Sequence, residues 1–190
     1  MTLKNWVSLL DLRGVESLAH IQAVSKLAVT LALEMGLSET NVREIHHGAL
    51  LHDIGMLALP DHISRKPEPL DPSDWKLIQK HPIIAHELLK DIPLLSNALE
   101  IPYCHHENWD GSGYPCGLQG SAIPLSARIF SIVDGWDSLT SNRPFRAGWP
   151  KCKTLKFIES QAGIKYDPEI VAVFVRWIRE TEFGSNRLEQ

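Results

Sequence analysis

Histidine and carboxylate side chains recur along this chain at spacings that could converge on metal ions. Glu16 and His20 are four apart, which stacks them on one face of a helix. His52-Asp53 closes a helical run, His81-Pro82 lies at a junction between two more, and His105-His106 closes another. Asp134 lies inside the apolar run from Arg128 to Leu139, where a carboxylate needs a partner because an unpaired buried charge is costly. Imidazole and carboxylate suit iron, manganese or zinc. No cysteine accompanies the set, which argues against a structural zinc site. Five histidines and three carboxylates exceed the needs of one ion, so the pattern points to two or three metals sharing a bridging group. Directly after His106 the chain passes through Gly111, Gly113, Tyr114 and Pro115, a loop of fixed shape that would wall the pocket.

The elements that must carry these residues are all helical. Leu18, Ile21, Val24, Ala28 and Leu31 form the stripe of one helix, with Gly36 at its end. Ser38 caps the next, which carries Val42, Ile45 and Ala49 and stops near Gly55. Asp71-Pro72 starts another, and His81-Pro82 opens a fourth. A helix from about Leu94 to His106 is expected to kink at Pro102. Pro124, Pro150 and Asp167-Pro168 begin three more. With no period-two segment, the fold class is all-α: a single domain over residues 1–182, followed by a polar tail over 183–190.

Composition narrows the possible roles. The chain has 190 residues, 44% of them hydrophobic and 22% charged, as in ordinary globular proteins. A net charge of -4 argues against a binder of DNA or RNA polymers. Cys104, Cys116 and Cys152 lack metal-type spacing and are expected to be reduced thiols of a cytoplasmic protein. Neither a signal peptide nor a membrane span is expected.

The motif series resembles a known family. His52-Asp53-Ile54-Gly55 is similar to the signature of the HD phosphohydrolases. With His81-Pro82, His105-His106-Glu107, Asp110-Gly111-Ser112-Gly113-Tyr114-Pro115, Asp134 and Arg143-Pro144-Phe145-Arg146, the chain resembles the HD-GYP subfamily. The resemblance implies an HD-like bundle with a five-helix core plus extra helices, and a bi- or trinuclear iron or manganese centre with a bridging hydroxide. It implies hydrolysis of a cyclic dinucleotide, typically cyclic di-GMP, to the linear dinucleotide or GMP. The metal ligands it implies are Glu16, His20, His52, Asp53, His81, His105, His106 and Asp134, with Asp53 as the bridge and His52 and Asp53 at the catalytic centre. Tyr114, Arg143, Arg146 and Lys66 are implied to face substrate. Signalling proteins are further expected partners, although the chain leaves no room for a sensory or receiver domain.

Three positions depart from the family pattern. Met56 stands where lysine is usual, Cys116 where arginine is common, and Phe145 where tyrosine is frequent. Met56 supports one rival expectation, a weakly active nucleotide- or protein-binding module; a second rival keeps the chemistry and changes the substrate, for example to cyclic GMP-AMP. The remaining chemistry-bearing residues take ordinary expectations. His46, His47, His62 and His86 are non-ligand histidines, Trp109 and Trp136 core fillers, Cys104 a small packed residue, and Asp137 a local cap or pair.

Overall fold

The computed structural model describes residues 2–64, 70–142 and 146–183, the side chains of residues 62 and 64 excepted. Helices account for the architecture. Among the described residues there is no strand, and Ala162 pairs with Tyr166 in an isolated bridge.

The chain begins with α1 (Leu3–Leu12), whose Val7 and Leu10 are buried. In α2 (Leu18–Glu34) the Ser17 side chain accepts the His20 N–H, and Ile21, Val24, Ala28 and Leu31 face inward. Gly36, at φ +74°, turns the chain after it, a backbone state that glycine adopts freely. Ser38 caps α3 (Glu39–Leu50) by accepting from Asn41, and a 3-10 turn follows over Ile54–Ala58. After the short α4 (Asp61–Ser64), α5 (Pro72–Ile78) opens on a capping box between Asp71 and Asp74, and α6 (His81–Leu89) follows.

The helix expected from Leu94 to His106 takes a different form. A 3-10 turn spans Pro93–Leu95, and only Glu100–Cys104 is helical, as α7. Pro102 has no N–H to donate, and a first turn needs none, so the proline sits as the third residue of a late-starting helix instead of kinking a long one. Three longer helices follow among the described residues: α8 (Leu125–Thr140), α9 (Lys151–Ser160) and α10 (Pro168–Ile178). A π turn follows over Arg179–Phe183.

Among the described residues two large apolar clusters hold these helices, and a small third one joins Cys104, Ile123 and Ala127. The larger joins α2, α3, α8, α9 and α10 through Val24, Leu31, Phe130, Trp136, Leu155 and Phe174. The smaller gathers Leu10, Ile21, Leu51, Ile54 and Leu89 from α1, α2, α6 and the 3-10 turn. Trp136 is the core filler expected of it. Trp109 is not, since it lies half-buried with the Arg128 guanidinium 5.9 Å from its ring centre. The His52 and His105 rings pack on Phe130, at 4.9 and 5.9 Å, so core packing helps to hold the imidazoles.

Candidate metal centre

Asp53 lies past the end of α3, in the turn after Leu50, rather than on the helix itself. What brings it to the other ligands is Gly55. A Cβ there would lie 2.0 Å from the His81 carbonyl oxygen and 2.8 Å from the Ala85 nitrogen. Only glycine lets the 3-10 turn lie so close against the start of α6. Asp53 Oδ1 thereby sits 3.2 Å from His81 Nε2 and 3.6 Å from His105 Nε2, while Oδ2 is 3.7 Å from His52 Nε2.

The expected ligands fall into two groups. Asp53, His81, His105 and His106 form one, and His20, His52 and Asp134 the other; within each, one ligand atom per residue lies within 4.8 Å of the rest. Asp53 faces both groups, one oxygen towards each. Glu16 approaches the second group from α2's approach loop, its Oε2 3.8 Å from His20 Nε2, and Asp134 Oδ1 is 3.7 Å from the same nitrogen.

The tautomers follow from the acceptors. His52 Nδ1 donates to the Ala49 carbonyl at 2.9 Å, His81 Nδ1 to Ile78 at 2.7 Å, and His105 Nδ1 to Ile101 at 2.9 Å. His20 Nδ1 meets the Asp137 carboxylate at 2.7 Å. A neutral imidazole that donates from Nδ1 presents a lone pair at Nε2. In these four residues that lone pair faces the cluster. The Nε2 atoms of His81 and His105 are only 3.4 Å apart, two acceptors face to face, and His20 Nε2 is buried with no hydrogen-bond partner. A cation in each group would satisfy these atoms, so the residues fit metal ions. Nδ1–H donation to a carbonyl or carboxylate is also how metal-bound histidines are usually oriented.

The electrostatics agree with the geometry. Burial lowers the proton affinity of His105 and of His106, the latter well below the ordinary imidazole value, with neighbouring imidazoles adding to the effect. Burial alone would raise Asp53, but His52, His105 and His81 overcome it and hold the carboxyl well below its usual range. His20 goes the other way. Burial disfavours its charge, yet the Asp137 hydrogen bond and the charges of Glu16 and Asp134 outweigh it and raise the imidazole. Beside this edge of the cluster a cleft of about 770 Å³ opens, lined by Glu16, His20, Asp137, Asp11, Ser141 and Asn142.

The glycine-rich loop is fixed from three sides. Tyr114 N–H donates to the His106 carbonyl at 3.2 Å, and the Trp109 and Asp110 N–H groups donate to Lys165 and Ile164. Gly113 leaves no room for a side chain, since a Cβ there would fall 2.3 Å from the Asn108 nitrogen. Buried Glu107 accepts from the Cys116 and Leu118 N–H groups at 2.7 and 3.0 Å. The Tyr114 ring, ahead of a cis Pro115 peptide, stacks on His106 with centroids 4.7 Å apart. Arg146 donates to the Ser138 carbonyl at 2.5 Å, one turn along α8 from Asp134. Lys66, Arg143 and Phe145 lie outside the described residues, and Met56 is half-buried in the 3-10 turn. Cys104 is buried, and desolvation pushes its thiol up to about 12.

Two residues of this site were not anticipated. Asp137 was read as a local cap or pair; it does approach the Ser141 hydroxyl at 3.3 Å, but its shorter bond spans 117 positions to His20. Its place three residues after Asp134, on the same helix face, was the available signal. Glu107 was noted only as part of a motif. Nothing local marked it as the acceptor that closes the loop.

The family model described as HD domain matches residues 6–170. A cyclic di-GMP phosphodiesterase of Thermotoga maritima is 38% identical over 172 residues, covering 90% of this chain and 47% of that protein. A 3'3'-cGAMP-specific phosphodiesterase of Vibrio cholerae is 36% identical over 173 residues, covering 90% of this chain and 33% of its own length. The chain thus spans about half or less of these relatives. Among solved structures, a protein of Bdellovibrio bacteriovorus described as an HDG"Y"P protein superposes with a TM-score of 0.68 at 25% identity, covering 84% of this chain and 51% of that one.

Proposed function

The chain belongs to the HD domain family, in its HD-GYP branch, and from that premise we propose that it is a metal-dependent phosphodiesterase acting on a cyclic dinucleotide, cyclic di-GMP first. One observation carries this reading above the rest: the Nε2 lone pairs of three oriented imidazoles, His52, His81 and His105, converge on the two-faced carboxylate of Asp53. Asp53, His81, His105 and His106 would hold one ion and His20, His52 and Asp134 a second, with Asp53 shared. Glu16 stands ready for a third. Iron or manganese suits such a set of imidazole and carboxylate. Bound there, the ions would supply Lewis acidity towards phosphoryl oxygens and a nucleophile at neutral pH.

The chain's own residues do the rest. The backbone carbonyls and Asp137 hold the His20, His52, His81 and His105 imidazoles each in one orientation, so little reorganisation is needed on binding. Tyr114, stacked on His106, presents a rigid aromatic wall beside the cluster on which a base or ribose can lie. Arg146, tied to Ser138, keeps further N–H groups for a phosphate, joined in this reading by Arg143 and Lys66.

A second reading keeps the chemistry and changes the substrate to cyclic GMP-AMP, favoured by the Vibrio relative. A cytoplasmic location belongs to the same proposal. Among the described residues no helix is long and apolar enough to cross a membrane, and the three cysteines are free. The test is anaerobic purification with metal analysis, followed by product analysis on cyclic di-GMP and cyclic GMP-AMP. At least two iron or manganese ions per chain and a linear product are expected. One ion, or tight nucleotide binding without turnover, would overturn the proposal.

A further inference from the structure

Tyr166 is the largest of the fully buried side chains, 1% exposed, and its hydroxyl has no hydrogen-bond partner among the described residues. Burying an unsatisfied donor costs free energy, so such a group in a folded protein needs a reason. Accident of packing is a poor one, because the residue is held from both sides. Its N–H donates to the Gln161 carbonyl at 3.2 Å, and its own carbonyl accepts from Gly163 at 2.9 Å. The next residue, Asp167, pairs with Arg128 of α8 at 2.6 Å and caps α10 through the Glu169 N–H at 2.8 Å.

The phenol is therefore aimed, and it is aimed at α8. A Cβ on Gly135 would lie 2.2 Å from the Tyr166 oxygen, so glycine at 135 leaves the space that the hydroxyl occupies. Gly135 directly follows Asp134. The Asp134 charge reaches the phenol and adds to burial in pushing its proton affinity up. Asp134 itself is loosely held: its Oδ1 is 3.7 Å from His20 Nε2, beyond hydrogen-bond range, and its side chain is 31% exposed. An unsatisfied donor thus lies against the residue that follows an incompletely held ligand.

We propose that Tyr166 is a positioning residue for the metal centre, its hydroxyl the donor that fixes Asp134 when that carboxylate joins His20 and His52 around an ion. The same loop gives the Ile164 and Lys165 carbonyls to Asp110 and Trp109, so it supports both the ligand and the glycine-rich wall of the site. This inference rests on the metal-centre reading above, and its test separates the two.

Tyr166→Phe keeps the ring and removes the donor. In ion-free protein the unfolding midpoint should stay the same or rise, because an unsatisfied group has gone. In Mn²⁺ the variant should gain less in midpoint than wild type, and its weaker Mn²⁺-binding step, followed by calorimetry, should fall about tenfold. On an Asp134→Ala background the same change should have no further effect on Mn²⁺ affinity, since the group through which Tyr166 acts is absent. Wild-type Mn²⁺ affinity in Tyr166→Phe, with or without a lower ion-free midpoint, marks the tyrosine as packing alone and overturns the inference. So does an equal loss on both backgrounds. Wild-type protein that takes up no Mn²⁺ overturns the metal centre, and this inference with it.

Discussion

Asp137 offers the sharpest test of how the centre is held. Among the four oriented imidazoles, His20 is the one tied to a carboxylate, at 2.7 Å, and the Asp137 side chain is only 12% exposed. A hydrogen bond to a charged group contributes about 1.5–3 kcal/mol, so its loss corresponds to roughly a ten- to hundredfold change in affinity. Removing a partner of this kind from a metal-bound histidine costs about the same range, 10–100-fold, by a separate route. Asp137→Ala should therefore weaken binding at the His20–His52–Asp134 group by that factor and leave the Asp53–His81–His105–His106 group near wild type. Asp137→Asn should fall between, because its amide oxygen still accepts from Nδ1 while the charge is gone. Calorimetric Mn²⁺ titration of anaerobically prepared, ion-free protein resolves the two steps. Both steps at wild-type strength in Asp137→Ala would refute the orienting role.

The same pair has a pH signature in the ion-free protein. The imidazole of His20 is raised above its unfolded value of about 6.5, because the Asp137 bond and the charges of Glu16 and Asp134 outweigh burial. A group raised on folding binds more protons in the native state, so its contribution is complete below that value and fades as pH rises through the folded one. The stability gap between wild type and Asp137→Ala should be widest in acid and should narrow towards alkaline pH. A gap that widens with pH would reverse the assignment.

Three further changes probe the scaffold and the departure at Met56. Gly55→Ala drives a methyl into the His81 carbonyl and should cost about 1–3 kcal/mol in urea unfolding, with metal lost from the Asp53 group; wild-type metal content would refute the close-approach account. Glu107→Ala strands the Cys116 and Leu118 N–H groups, so those amides should lose protection from hydrogen exchange while metal content holds. Unchanged protection would mean that the loop is closed by its other bonds. Met56→Lys restores a cation on the 3-10 turn and should raise kcat/KM, with a tenfold gain corresponding to about 1.4 kcal/mol. A fully metallated variant that is no faster would assign Met56 to a site tuned for binding or for another substrate.

The sequence alone determined the helical class and most of the caps, and it marked the residues proposed as ligands. These depend on short-range rules: an apolar stripe every three to four residues, Ser38 and Asp71 ahead of helices, and Glu16 and His20 four apart. The ordered motifs added the family, because each is a local string. Reach across the fold was a different matter. The sequence could not say that Asp137 would reach His20 as well as Ser141, that Glu107 would close the glycine-rich loop, or that Pro102 would sit inside a late first turn. Nor could it say that Gly55 would let two elements touch, or that the Tyr166 hydroxyl would lie against Gly135. Those outcomes depend on which backbone approaches which, and that is set only when α2, α6 and α8 pack together. A helix face is fixed by residue spacing, whereas the partner opposite it is fixed by the packing of the whole chain.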